Sequence, residues 1–126
     1  MLHMFHDNIY KLAKENSNYR KVVYTGNKSQ LVLMSIPPKG DIGMETHHDT
    51  DQILVIVEGK GKTILNDQES PIAEHDLVFV SAGTEHNFIN TGDTDLKLFT
   101  VYAPPNHPDG IVEATKVEAE TKEPSY

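Results

Sequence analysis

The sequence predicts an all-β fold, a closed sandwich or jelly roll, with a short N-terminal helix and an extended C-terminal tail. Three observations favour this class. Between residues 21 and 104 the chain falls into short segments rich in β-branched and aromatic residues. Turns made of glycine, proline, asparagine and aspartate separate these segments. No helical pattern lies between them, whereas a parallel α/β sheet needs a helix between consecutive strands.

The chain divides into three zones within a single domain spanning residues 1–126, because this length provides one core and no more. Residues 1–20 form a helical segment, residues 21–104 the barrel, and residues 105–126 a C-terminal arm or tail. The last zone is rich in proline and charge, and its stretch Glu113–Glu123 has few large apolar residues. It is therefore either a weakly ordered tail or an arm laid over the barrel.

The first two zones can be assigned element by element. Ile9, Leu12 and Ala13 follow the i, i+3, i+4 spacing of a buried helix face, and Asp7 or Asn8 can cap that helix. Nine strands are predicted after it: Lys21–Thr25, Gln30–Ile36, Gly43–His47, Gln52–Glu58, Lys62–Asn66, Ser70–Ala73, Asp76–Val80, Glu85–Asn90 and Leu96–Tyr102.

The predicted strand Gln52–Glu58 is apolar on both faces. Side chains alternate along a strand, so Leu54 and Ile56 share one face while Ile53, Val55 and Val57 share the other. One face can line the barrel interior, and the other also needs a cover. The chain offers only its N-terminal helix and its tail, so we expect a second subunit and hence a homodimer.

Composition excludes several classes of protein. The chain has no cysteine, which rules out disulfides and thiolate metal sites and gives no sign of an oxidising compartment. The formal net charge is −8 and the basic residues are scattered, so no nucleic-acid partner is expected. The longest apolar run, residues 53–57, is too short to span a bilayer, and the N-terminus does not resemble a secretory signal. We therefore expect a cytoplasmic protein that does not bind membranes.

Two polar segments carry the candidate chemistry. Glu45 and His47 are two residues apart and therefore project to the same face of a strand, and Gln52 begins the next strand after a short polar turn. His86 follows a glycine turn in the second segment. Two imidazoles, a carboxylate and an amide oxygen suit one divalent ion such as Mn, Fe, Ni or Zn.

These segments resemble the two motifs of the cupin superfamily. The first motif is glycine, His-x-His, three or four residues, glutamate, six residues and glycine. This chain has Glu45-x-His47, four residues, Gln52, six residues and Gly59. Glu45 thus stands where the family usually has its first histidine, and Gln52 stands where it has its glutamate. Gly40 lies one residue closer to this pair than the pattern expects.

The second cupin motif is glycine, five residues, Pro-x-Gly, two residues, histidine, three residues and asparagine. This chain matches it with His75, five residues, Ser81-x-Gly83, two residues, His86, three residues and Asn90. The resemblance covers roughly residues 30–103 and implies a small single-domain protein with a cupin jelly-roll, a double-stranded β-helix barrel. It also implies, by position, that Glu45, His47, Gln52 and His86 are the metal ligands.

The altered ligand set keeps one negative charge and amounts to a two-histidine, one-carboxylate triad with a weaker amide oxygen. Gln52 can be that fourth ligand, or it can only hydrogen-bond a neighbour or a water.

We interpret the other histidines as structural or solvated, namely His3, His6, His48, His75 and His107. Met34, Met44, Phe79, Phe88 and Phe99 are interpreted as core or pocket lining, and Asn90 as a brace for the backbone.

The resemblance leaves several functions open, because cupin barrels host dioxygenases, isomerases, decarboxylases, lyases and ligand-sensing modules. Our first hypothesis is a metal-dependent enzyme on a small polar metabolite, a sugar or an oxygenated acid, with isomerase- or lyase-like chemistry. In it, Glu45 moves protons when it leaves the ion. A dioxygenase reaction stays open. The single arginine, Arg20, argues against a phosphate pocket. The alternative is a non-catalytic module that binds or senses a small ligand.

Overall fold

A computed structural model describes residues 4–122, so His3 lies outside the described residues. Its helices are α1 (Ile9–Glu15) and α2 (Lys116–Lys122). Its strands are β1 (Arg20–Thr25), β2 (Gln30–Ile36), β3 (Glu45–Thr46), β4 (Asp51–Glu58), β5 (Lys60–Leu65), β6 (Gln68–Ala73), β7 (Leu77–Val80), β8 (Glu85–Asn90), β9 (Leu96–Ala103) and β10 (Val112–Glu113). The predicted all-β class is confirmed.

The strands form two antiparallel sheets that enclose one core. The larger sheet has the order β10-β1-β2-β9-β4-β7, and the smaller has the order β3-β8-β5-β6. The main core cluster joins buried residues of both sheets, among them Leu54 and Leu98 from the larger and Phe88 and Ile72 from the smaller. Buried side chains of the two sheets meet in this core, as the predicted jelly roll requires.

One predicted strand is shorter than expected. The segment Gly43–His47 was predicted as a strand, yet only Glu45 and Thr46 pair with β8. Gly43 has a φ of +101°, which lies outside the β region and prevents the strand from starting there. After Thr46 the chain turns, and the carbonyl of His47 accepts a hydrogen bond from the amide of Gly83 instead of a ladder partner.

Helix α1 covers part of the outer face of the larger sheet. Asn8 is its N-cap, with a side chain that accepts a hydrogen bond from the amide of Lys11. Ala13 packs with Leu33 and Val57 in a second buried cluster, which partly buried side chains of α1 extend. Val57 is therefore covered by the chain's own helix, which corrects the expectation that this position needs a second subunit.

The C-terminal zone is an arm laid on the barrel. Strand β10 pairs with β1, and helix α2 buries Ala119 against the main core. The arm also supplies Glu113, whose carboxylate accepts a hydrogen bond from Arg20 at 3.1 Å, with both side chains buried. Among the described residues, neither helix is long and apolar enough to cross a membrane.

Three of the five predicted core side chains follow the prediction. Met34 and Phe88 are fully buried, and Phe99 packs beneath α1. Phe79 is 52% exposed, because it lies on the outer face of the edge strand β7. Met44 is also exposed, in the loop that precedes β3. The expectation of burial was wrong for both residues.

Candidate metal site

Three of the predicted ligands meet at one end of the barrel, where short elements hold them. Glu45 lies directly opposite His86 in the pairing of β3 with β8. His47 follows β3, and its carbonyl is tied to the amide of Gly83 at 2.8 Å. Backbone hydrogen bonds therefore join the two motif segments and hold Glu45, His47 and His86 at fixed positions relative to one another.

The three side chains are close enough to share an ion. One carboxylate oxygen, Oε1 of Glu45, lies 3.3 Å from Nε2 of His47 and 3.7 Å from Nε2 of His86. The three donor atoms all lie within 4.8 Å of one another. Donors bound at roughly 2 Å to one ion are themselves separated by about 3–4 Å, so this arrangement fits a single metal centre.

The two imidazoles direct ring nitrogens into this space. Nδ1 of His86 lies 2.9 Å from the carbonyl oxygen of Thr84, which can only accept, so the neutral ring carries its proton on Nδ1 and has a lone pair on Nε2. Nε2 of His47 and Nε2 of His86 are buried and have no hydrogen-bond partner within residues 4–122. Buried polar atoms in native proteins are almost always satisfied, and a bound cation would satisfy both.

Gln52 reaches the same end of the barrel from the larger sheet. It lies on β4, is 1% exposed, and pairs with Val80 on one side and Tyr102 on the other. Its Nε2 donates to Thr100 Oγ1 at 3.2 Å, and that hydroxyl donates to the carbonyl of Ile53 at 2.9 Å. The other amide atom, Oε1, is buried and has no hydrogen-bond partner in the described chain.

The Glu45 carboxylate provides the negative charge of the cluster. Its side chain is 26% exposed, whereas both histidine side chains are buried, so the cluster meets solvent through Glu45. In the metal-free protein burial raises the pKa of Glu45, but the adjacent imidazoles of His47 and His86, when protonated, outweigh it and lower that pKa to about 2. The carboxylate is therefore ionised at neutral pH, as a metal ligand must be.

Aromatic rings surround the histidines. The ring of Phe88 lies edge-on to that of His86, and the ring of Tyr102 lies edge-on to that of His47, with centroids 6.1 and 5.9 Å apart. His107 in turn packs against Tyr102 at 4.9 Å. It is buried there because Gln30 accepts a hydrogen bond from its amide and donates one to its carbonyl. His107 is thus structural as interpreted, although its burial was not foreseen.

The remaining predicted residues lie away from the cluster. His48 and His75 are exposed, and Asp51 holds the turn before β8 by accepting a hydrogen bond from the amide of Ala82 at 2.9 Å. Asn90 braces the backbone as interpreted, since its Nδ2 donates to the carbonyls of Ile36 and Thr94. Thr100 was missed, although a polar residue among the inward-facing apolar positions of β9 is a visible signal.

Comparison with known proteins agrees with this architecture. A crystal structure from Bacillus halodurans is 37% identical, superposes with a TM-score of 0.93, and the match covers 94% of this chain and 95% of that one. An uncharacterised Bacillus subtilis protein is 44% identical over 89% of this chain, which spans only 63% of that protein. An oxalate-binding protein of Thermotoga maritima is 34% identical over 60% of this chain and 63% of its own length.

The sequence also matches a model of a protein family. The model that describes the cupin domain matches residues 32–102, which contain all four predicted ligands. A predicted oxalate decarboxylase of Thermotoga maritima is 31% identical, with a TM-score of 0.60 over 63% of this chain and 70% of that one. This chain belongs to the cupin family.

Proposed function

We propose that this protein binds one divalent metal ion through Glu45, His47 and His86, with Gln52 as a weaker fourth ligand. The observation that carries this proposal is the convergence of three donors, two of which are buried imidazole nitrogens without a hydrogen-bond partner in the described residues. The buried amide oxygen of Gln52 supports the fourth position. Mixed nitrogen and oxygen donors suit Mn, Fe, Ni or Zn.

Charge favours a small oxygenated acid as the ligand. Glu45 is the one anionic donor of the set, so a divalent ion held there leaves a net charge of about +1, which attracts a carboxylate. Arg20, the single arginine of the chain, is paired with Glu113 and does not provide a phosphate site. The oxalate-binding relative from Thermotoga maritima supports the same class of ligand.

The proposed activity is that of a metal-dependent enzyme with isomerase- or lyase-like chemistry, and an Fe or Mn ion would extend it to dioxygenase chemistry. A bound ion supplies Lewis-acid polarisation of the ligand's oxygens. The rings of Phe88 and Tyr102 pack beside the two histidines, and the partly exposed Glu45 carboxylate is the donor that meets solvent. Glu45 is the residue we assign to proton transfer when it is not coordinating.

A second candidate function is non-catalytic binding, and one observation favours it. The acid–base groups that the described residues bring together are Glu45, His47 and His86, and the ion would occupy all three. With all three groups coordinating, none is left to move a proton, which favours binding without general acid–base catalysis. The name of the oxalate-binding relative points the same way.

We also propose that the protein is a homodimer and that it works in the cytoplasm. Ile53 and Val55 remain half-buried on the outer face of the larger sheet, beside the exposed Leu77 and Phe79 of the edge strand β7. A second copy would cover this apolar patch. The absence of cysteine fits a reducing compartment.

The test begins with protein purified without added ions and analysed by elemental mass spectrometry. We expect about one divalent ion per chain, and loss of that ion in His86→Ala. Titration calorimetry with oxalate and other small acids should then show binding to the metal-loaded protein and not to chelated protein. Product analysis under the same conditions separates enzyme from binder. Equal metal content in wild type and His86→Ala would contradict the proposed site.

A further inference from the structure

The chain that leads to Glu45 has few backbone restraints of its own. Strand β3 contains only Glu45 and Thr46, and the segment before it is a loop. Within that loop the amide of Ile42 donates to the carbonyl of Phe88 at 3.0 Å, and Asp41 forms an isolated bridge with Ile89. Side chains therefore have a large part in holding Glu45 at its position opposite His86.

Asn87, the residue after His86, joins this loop to β8. Its Oδ1 accepts hydrogen bonds from the amides of Gly43 and Phe88, at 2.9 and 2.8 Å. Its Nδ2 donates to Asp41 Oδ2 at 3.0 Å. One buried amide thus fixes the loop on which Glu45 depends to the strand that carries His86, and Asp41 fixes the orientation of that amide.

The C-terminal arm completes this network. Lys116, the first residue of α2, donates from Nζ to Asp41 Oδ1 at 2.6 Å. The same ammonium lies 3.7 Å from the position that a Cβ atom would occupy at Gly43, so it covers the turn that precedes Glu45. Helix α2 is anchored independently, because Ala119 is buried in the main core.

We propose that Lys116 is a positioning residue for the metal site, acting through Asp41 and Asn87 to hold Glu45 opposite His86. The C-terminal helix thereby controls the affinity of a site that it does not touch. The inference rests on the proposed metal site. Lys116 and Asp41 are both about one-third exposed, and such ion pairs contribute little to global stability, so the loss of this pair should affect the loop more than the fold.

Three variants separate positioning from simple structural support. Lys116→Met removes the ammonium and keeps the aliphatic stem, and Lys116→Arg restores a donor. Lys122→Met is the matched control, because Lys122 lies on the same helix and pairs with Glu118 at 2.7 Å, away from the loop. For each variant, Zn²⁺ affinity is measured by chelator competition, the Co²⁺ visible spectrum is recorded, and unfolding is followed in chelator.

Because an ion pair this exposed contributes little, Lys116→Met should bind Zn²⁺ up to about fivefold more weakly, with an altered Co²⁺ spectrum. Lys116→Arg should recover most of the affinity, and Lys122→Met should match wild type. The inference is overturned if Lys116→Met keeps wild-type affinity and spectrum, or if Lys122→Met loses as much. Wild-type protein that binds no ion would instead overturn the metal site itself, and the inference with it.

Discussion

At the scale of single residues, the orientation of the Gln52 amide decides whether the proposed metal site can have a fourth ligand. The Thr100 hydroxyl has one proton and donates it to the carbonyl of Ile53, so it can only accept from Gln52. The atom of Gln52 that faces Thr100 must therefore be Nε2. Its Oε1 is then directed into the barrel, and Thr100 becomes the residue that makes an oxygen donor available.

Metal affinity should follow the donor strength of these side chains. Because imidazole binds these ions more strongly than a neutral amide oxygen, His86→Ala should lower affinity far more than Gln52→Ala. Thr100→Val keeps the shape but removes the acceptor that orients Gln52, so we expect it to cost about as much as Gln52→Ala. Calorimetric titration of the three variants checks this order.

Two results would contradict that order. Equal losses in His86→Ala and Gln52→Ala would make Gln52 a full ligand, and an unchanged affinity in Thr100→Val would mean that Thr100 does not orient it.

The sequence shows the ligands of this candidate site more clearly than it shows their supports. Glu45, His47 and His86 could be found because strand alternation and motif spacing are local properties. Lys116 and Asp41 are 75 positions apart, and Gln52 and Thr100 are 48 apart. Such contacts depend on which strands pair, and a single sequence contains little information about that.

At the scale of elements, two glycines allow the backbone at the start of β5 to pack closely against neighbouring backbone. Gly59 has a φ of +93°, and a Cβ atom there would lie 2.8 Å from the carbonyl oxygen of Asp95. Gly61 pairs with both Ile72 and Asn90, and a Cβ atom there would clash with the carbonyl oxygen of Ile89. The backbone just before β5, at Gly59, and within β5, at Gly61, therefore packs against other backbone with no room for a side chain.

Replacing Gly61 with alanine should destabilise the protein strongly. The added methyl group meets backbone, which cannot rotate away, so β5 must shift from its neighbours at a cost of about 2 kcal/mol or more. Gly26→Ala is the control, because its Cβ atom would lie 3.4 Å from the nearest backbone oxygen, in an exposed turn. Urea denaturation measures both changes, and similar midpoints for the two variants would contradict the prediction.

The sequence predicts the bounds of an element correctly where the local residue pattern is enough to define them. The bounds of β2 and β8 agree with the sequence prediction, because both strands are bounded by clear turn residues. The sequence does not distinguish an arm from a weakly ordered tail, because α2 buries only the small side chain Ala119 and β10 has only two residues. Neither element has the run of large apolar residues on which periodicity depends.

At the scale of the whole molecule, the outer face of the larger sheet has an apolar patch at its β7 edge that the chain covers only in part. Leu77 pairs with Val55 and Phe79 with Ile53, so these four side chains form one surface. Leu77 is 60% exposed, and β7 is the last strand of its sheet. Apolar edge strands of this kind promote association between chains.

We therefore expect the protein to sediment as a dimer at micromolar concentration, and Phe79→Glu to shift it to monomer. A buried charge in the centre of an apolar interface costs several kcal/mol, which is enough to dissociate a small dimer. Val117→Glu is the control, since Val117 is exposed on α2. A wild-type monomer would refute the homodimer, and a dimer unaffected by Phe79→Glu would place the interface elsewhere.

Thermal stability should depend on pH in a way that requires metal. An imidazole must be unprotonated to bind an ion, and ordinary histidines take up protons near pH ~6.5. With excess Zn²⁺, affinity should fall by up to about 100-fold per pH unit below that point, because two imidazoles are involved, and the melting temperature should fall with it. With chelator, the change between about pH 8 and 5 should be much smaller.

Glu45 titrates in a separate range. Its pKa is lowered from 4.5 to about 2 in the folded protein, so the stability it contributes is present above pH 4.5 and is lost as the pH falls towards 2. The titration of Glu45 therefore does not contribute, above about pH 5, to the difference between the melting-temperature profiles recorded with metal and with chelator. Parallel profiles with metal and with chelator across that range would exclude the metal site.

The contact between Tyr102 and His47 also gives the protein an intrinsic optical probe. The chain has five tyrosines and no tryptophan, so its ultraviolet emission comes from tyrosine alone. Tyr102 is buried with its ring centroid 5.9 Å from that of His47, so an ion bound by His47 would lie within quenching range of this fluorophore. Co²⁺ or Cu²⁺ would dim the emission and Zn²⁺ would not, and Tyr102→Phe would reduce that difference. Occupancy of the proposed site can then be followed in unlabelled protein, in real time, from its tyrosine emission.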